Sequence, residues 1–208
     1  MTKPLINRIV LASGNAGKLR EFQQMLGGAD IEFVTQRSLG VSDADETGLS
    51  FVENAILKAR HASALTGLPA LADDSGIEVD ALRGQPGIYS ARYAGVGATD
   101  QQNNDKLLAA LANVPIEQRG ARFQCVIVFM RHAEDPMPFI SQGTWEGRIL
   151  YAPSGANGFG YDPLFHVPTH GCASAELEPA IKNSISHRGQ ALRQLLASWN
   201  AVRNRAHL

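Results

Sequence analysis

A strand–helix–strand unit near the start of the chain constrains the fold more than any other feature. Arg8-Ile-Val-Leu-Ala-Ser13 reads as a short buried strand, and Gly17 to Leu26 places Leu19, Phe22, Met25 and Leu26 on one helical face. Gly27-Gly28 stops that helix, and Ile31-Glu-Phe-Val-Thr35 follows as a second strand. Such a unit points to an α/β fold with a largely internal sheet.

A chain of 208 residues, 44% hydrophobic and 19% charged, can build a sizeable core without staples and is not disordered. Its 19 Lys+Arg against 20 Asp+Glu give a net charge of −1, and no cluster of four basic residues occurs, which argues against a nucleic-acid binder. The longest strictly apolar run, Cys125 to Met130, is far short of a membrane span, and Ile9 to Ala12 is too short for a signal-peptide core. Two cysteines, Cys125 and Cys172, make no disulfide framework, and Cys125 sits in an apolar run where buried thiols are common. A cytoplasmic protein is expected.

Ser50 with Glu53 forms a capping box, after which Phe51, Ala55, Ala59, Ala62 and Leu65 recur at helical intervals until Gly67 and Pro69. Pro69 to Ala72 enters a strand, which Ile77 to Val79 continues after a turn at Asp74-Ser75-Gly76. Gly84 to Gly97 reads as an ordered glycine-rich loop. Thr99 with Gln102 caps a helix carrying Leu107, Leu108 and Leu111, ended before Pro115. Arg122 to Met130 is apolar enough for a central strand, and Phe139 to Trp145 returns. Tyr151 to Ala173 looks loop-like, and a last helix from about Ser186 to Asn204 turns Ala191, Leu192, Leu195, Leu196, Trp199 and Val202 inward. Neither an internal repeat nor a low-complexity linker breaks the chain.

Five segments carry candidate chemistry. Ser13-Gly14-Asn15-Ala16-Gly17-Lys18 lies where a strand feeds a helix, a place where backbone N–H groups and a lysine meet an anion; it is neither a Walker A loop nor a dinucleotide fingerprint, and a plain tight turn is the alternative. Asp73-Asp74-Ser75-Gly76 offers adjacent acids for a hard cation or for activating water, against the alternative of a β-turn. The acidic run Asp43 to Gly48 would add a second metal carboxylate, whereas Glu53 fits a capping role better. Gly158-Phe159-Gly160-Tyr161-Asp162-Pro163 exposes an aromatic on which a base would stack, with Asp162 free to bond its edge; a ring filling a core gap is the alternative. Lys182 and Ser186-His187-Arg188-Gly189 would add a cation and two donors. His166, His170 and Cys172 are poorly spaced for zinc, and Ser186-His187 lacks a nucleophile elbow.

Six motifs in order carry a resemblance: Ser13 to Lys18, Glu46-Thr-Gly48 with Phe51 to Ala55, Ala72 to Gly76, Pro86 to Arg92, Gly158 to Pro163, and Ile185 to Gly189. From about Ile9 to Leu196 the chain resembles the inosine/xanthosine triphosphate pyrophosphatases. The resemblance implies a mixed, twisted α/β sheet with flanking helices, a single domain over residues 1–208 with two lobes around a central cleft, and a homodimer. It implies Mg²⁺-dependent hydrolysis of purine nucleoside triphosphates such as ITP, dITP and XTP to the monophosphate and pyrophosphate. By motif position, Asp74 activates water and holds Mg²⁺ with Glu46; Ser13, Gly14, Asn15, Ala16, Gly17, Lys18, Ser75 and Lys182 contact the triphosphate; and Phe159, Gly160, Tyr161, Asp162, His187 and Arg188 hold the base. A house-cleaning pyrophosphatase for modified pyrimidines or dTTP/UTP, and a nucleotide-binding module without chemistry, are the competing readings.

Overall fold

Ile9, Val10, Leu11 and Ala12 are consecutive apolar residues and all are buried, as in a strand covered on both faces. Around that strand the computed structural model describes residues 8–26 and 32–198. Its strands and α-helices run β1 (Arg8–Ala12), α1 (Ala16–Leu26), β2 (Glu32–Thr35), α2 (Phe51–Thr66), β3 (Ala70–Val79), α3 (Asp100–Ala110), β4 (Gly120–Met130), β5 (Phe139–Ile149), β6 (Phe165–Val167), β7 (Cys172–Ala173), α4 (Pro179–Ile185) and α5 (His187–Ala197). They form a mixed seven-stranded sheet, in the order β2-β1-β3-β4-β5-β6-β7, with flanking helices. β1 pairs in parallel with both β2 and β3, in the registers Val10–Val34 and Leu11–Leu71, whereas β6 is antiparallel to β5 and β7. The expected α/β class is therefore present. No helix among the described residues is long and apolar enough to cross a membrane.

The chain falls into two compact units. The first draws on Met1–Asp74, Val126–Gln142 and Gln190–Leu208, the second on Ser75–Cys125 and Gly143–Gly189. In the first, Ala55, Ala59 and Ala62 of α2 pack against Val10, Ala12, Ala70, Ala72, Val126 and Val128. Small side chains on the helix face let its backbone approach the strands closely. Ser50 caps α2, and Gly67 closes it in the left-handed conformation with φ 69°. The second unit has an aromatic core, in which Phe123 packs on Phe165 at 4.6 Å between ring centres and Trp145 on Phe165 at 5.1 Å. Leu107 and Leu111 join it from the α3 side, and the Thr99–Gln102 capping box starts that helix.

Several expectations are revised. β3 is one ten-residue strand running through Asp73-Asp74-Ser75-Gly76, so no turn interrupts it: pairing with neighbours overrides the local turn preference of Asp, Ser and Gly. Leu65 and Leu196 are 60% and 40% exposed, because each sits off the buried stripe of its helix. The helix expected from about Ser186 begins there as α5, and an unexpected helix, α4, precedes it, the two separated by the extended backbone of Ser186. Tyr151 to Ala173 contains β6 and β7 rather than loop alone, and Gly87 to Arg92 is a 3₁₀ turn. Cys125 is buried and forms no disulfide among the described residues, as its apolar run suggests. Gly27, Gly28, Ile31, Trp199 and Val202 lie outside the described residues.

Candidate active site

In the first unit, the segment Ser13 to Lys18 leaves β1 and opens α1. Asn15 is the helix cap: its Oδ1 accepts from the Lys18 N–H at 3.0 Å, and its carbonyl accepts from Leu19 N–H at 3.0 Å. Ser13 Oγ in turn accepts from the Asn15 N–H at 3.2 Å. Neither of these caps uses the N–H groups of Ala16 and Gly17, and the helix dipole adds positive potential where they lie. Gly14 is glycine for a steric reason: a Cβ there would stand 2.7 Å from Asp43 Oδ2. Asp43 is itself held by the Gln36 amide, so this acid of the 43–48 run supports the loop.

Next to the loop's lysine stands a group of buried charges. Lys18 Nζ is 2.5 Å from Asp73 Oδ1. Lys58, reaching in from α2, bonds Asp74 Oδ1 at 2.6 Å and Glu46 Oε1 at 3.1 Å. Two ammonium groups face three carboxylates, which leaves one negative charge in excess. Burial pushes the Asp74 pKa above the usual aspartate value, and Lys58 and Lys18 hold back part of that rise. Burial disfavours the charge on Lys58, yet Asp74, then Glu46 and Asp73, more than offset this and raise its pKa. Asp74 Oδ2 is buried and has no hydrogen-bond partner among the described residues. Glu53 is occupied elsewhere: its carboxylate accepts from Leu49 N–H and Ser50 Oγ–H, which lowers its pKa and makes it a cap, as its position suggested. The loop carrying Glu46 is tethered to α2 by a 2.8 Å bond from Gly48 N–H to Asn54 Oδ1.

The second unit gathers the remaining candidates. Phe159 is half-buried. Lys182 Nζ lies 5.0 Å from the centre of its ring and the Arg188 guanidinium 5.9 Å. Asp162 is not free to meet a base edge: it is buried, and it accepts from Phe159 N–H (2.8 Å), Ser174 Oγ–H (2.8 Å) and Lys182 Nζ (2.6 Å). Those bonds make it the support of the Phe159 loop, and the Asp162 pairing keeps Lys182 with that loop. Arg188, almost fully buried, donates to Ser75 Oγ at 2.8 Å. His187 stacks on Phe123 with ring centres 4.8 Å apart and planes 10° from parallel. Tyr161 is buried and donates its hydroxyl to the Ser90 carbonyl at 2.8 Å. His166 and Cys172, weighed above as metal ligands, are residues of the β6–β7 pair.

Lys58 is the residue that sequence reasoning missed. A lysine at i+3 from Ala55, adjoining a stripe of buried alanines, was the available signal.

The architecture identifies the structural class first: the HAM1 protein from Coxiella burnetii shares it with a TM-score of 0.87 and 52% identity, covering 94% of this chain and 99% of that one. The chain belongs to the Ham1 family, whose model matches residues 9–198. Among curated relatives, the dITP/XTP pyrophosphatase of Yersinia pseudotuberculosis serotype I (strain IP32953) is 60% identical over 191 residues, 92% of this chain and 97% of the relative. The dITP/XTP pyrophosphatase of Vibrio parahaemolyticus serotype O3:K6 (strain RIMD 2210633) is 58% identical over 196 residues, 94% and 98% of the two chains.

Proposed function

We propose that this protein hydrolyses non-standard purine nucleoside triphosphates (dITP, XTP and ITP) to the monophosphate and pyrophosphate, with Mg²⁺ as cofactor, working as a cytoplasmic homodimer. The observation that carries the chemistry is Asp74, a buried carboxylate with one oxygen on Lys58 and the other without a hydrogen-bond partner among the described residues. The names of the close relatives supply the substrate class.

Asp74 Oδ2 and the Glu46 carboxylate are hard oxygen donors in a group with excess negative charge, which suits Mg²⁺. Among the described residues no three His, Cys, Asp or Glu form a metal-holding cluster, so an ion here would take its remaining ligands from water and phosphate oxygens. When bound, it would neutralise the triphosphate and lower the pKa of a water. The chain's own residues do the rest. The Ala16 and Gly17 N–H groups and Lys18 receive the phosphates. Asp74, its pKa raised toward its working range, takes the proton of the attacking water. Water oxygen bonds to the α-phosphorus, the bond from that phosphorus to the bridging oxygen breaks, and pyrophosphate leaves with the electron pair. Lys18 and Lys58 face the charge that builds up.

In the second unit, Phe159 stacks on the purine, and Arg188 and His187 are the donors for a 6-oxo group. Adenine's 6-amino group would meet them donor to donor, a mismatch able to discriminate by ~10⁴. Hydrolysis of XTP in ¹⁸O-water tests the reaction: label in the monophosphate is expected, and label in pyrophosphate or orthophosphate would contradict attack at the α-phosphorus.

A further inference from the structure

We infer that Asp100 and Asn104, on the first two turns of α3, are positioning residues that set the Phe159 platform and thereby the choice of base. The inference rests on the reading of Phe159 as the base-stacking ring. Residues four apart on a helix share a face, and these two grip a single residue of the loop. Asp100 Oδ2 accepts from the Gly160 N–H at 2.7 Å, and Asn104 Nδ2 donates to the Gly160 carbonyl at 3.0 Å. Gly160 holds φ +62°, a left-handed conformation that glycine adopts at little cost, so its peptide groups point where α3 can take both. On the other side, Asp162 takes the Phe159 N–H. Side chains thus hold the backbone carrying the ring at three polar groups: the Phe159 N–H, the Gly160 N–H and the Gly160 carbonyl.

The helix is itself anchored. The Thr99–Gln102 capping box sets its first turn, which fixes Asp100. Asn103 holds the glycine-rich segment before it, accepting from Ala94 N–H at 2.8 Å and donating to the Ala91 carbonyl at 3.2 Å. Tyr161, which follows the gripped glycine, reaches Ser90 of the same segment. The Pro86–Arg92 motif, to which the hydrolysis assigns no role, thereby becomes a brace for the platform. Asn104 makes its bond at a cost: its Oδ1 is buried without a hydrogen-bond partner among the described residues.

Substitutions that keep shape but change the bond test the inference. Asn104→Asp turns the donor into a carboxylate facing the Gly160 carbonyl; Asp100→Ala removes the acceptor; Asp100→Asn retains one. With Mg²⁺ and each protein, KM and kcat for ITP and ATP and the inhibition constant of pyrophosphate are measured. Asn104→Asp and Asp100→Ala are expected to raise KM for ITP about tenfold or more and to shrink the ITP-over-ATP preference by a similar factor. Their kcat and pyrophosphate inhibition should stay near wild type, and Asp100→Asn should restore KM and preference. Unchanged KM and preference in both variants would overturn the inference. So would a parallel weakening of pyrophosphate inhibition, which signals general loss of structure. Asp100 is exposed, so its alanine variant remains informative if Asn104→Asp fails to fold. Phe159→Ala separates the two failures. If it alone disturbs KM and preference, the α3 inference fails and the platform stands; if it too leaves them unchanged, the platform reading fails with it.

Discussion

The two clusters of functional side chains are built on opposite principles. In the first unit, charges are concentrated and incompletely balanced: three carboxylates face two ammonium groups, and a buried oxygen of Asp74 lacks a hydrogen-bond partner among the described residues. In the second, Asp162 is bonded by a backbone amide, a hydroxyl and an ammonium at once, and the half-buried ring of Phe159 is held above that support. An incompletely satisfied group is poised to take a proton or a cation. A fully satisfied one is rigid and suits recognition. Under the proposed function, this difference assigns chemistry to the first cluster and selection to the second, and substitutions in each should separate the two.

The largest expected effect belongs to Asp74. Asp74→Asn should cut turnover of ITP by about 10³-fold or more while circular dichroism shows an intact fold. Near-normal turnover would remove Asp74 as the base. Lys58→Met should follow, with kcat lower by about 10²-fold and a changed pH profile. With Asp74 as the proposed base, activity should fall as pH drops through that group's pKa, which burial has raised. Removing the Lys58 charge, which opposes the rise, should shift the acidic limb to higher pH; a limb that stays in place would show that Asp74 is not the titrating group.

Smaller effects are expected from the recognition elements. Gly14→Ala sets a methyl against the Asp43 carboxylate and should raise KM about tenfold; the double variant Gly14→Ala/Asp43→Ser should recover most of it, and no recovery would discard the steric explanation. Phe159→Leu keeps an apolar side chain but loses the stacking face, so KM should rise severalfold with pyrophosphate inhibition unaltered. A comparable weakening for pyrophosphate would mean that the second cluster also handles phosphate.

Periodicity made much of the fold legible. β1, α1 and the segment of β2 follow from short apolar runs around an amphipathic stretch, and both capping boxes mark real helix starts because capping is a local interaction. The charged positions were harder. Asp73 to Gly76 has turn composition, yet these residues lie within β3, which sits between β1 and β4 in the sheet, a non-local fact. Lys58 escaped notice because a lysine beside an alanine stripe reads as part of a solvated face. Asp162 looked like a base ligand because its partners, Ser174 and Lys182, are 12 and 20 residues away. α4 went unread because its seven residues, Pro179–Ile185, are too few to display a helical period.

The most direct test of this division of labour is pyrophosphate release from ITP, XTP, ATP, GTP, dTTP and UTP, each with Mg²⁺ and with excess EDTA. Rapid release from ITP and XTP, abolished by EDTA and far slower with the other four, is the expected result. Release mainly from dTTP or UTP, or release indifferent to EDTA, would contradict it.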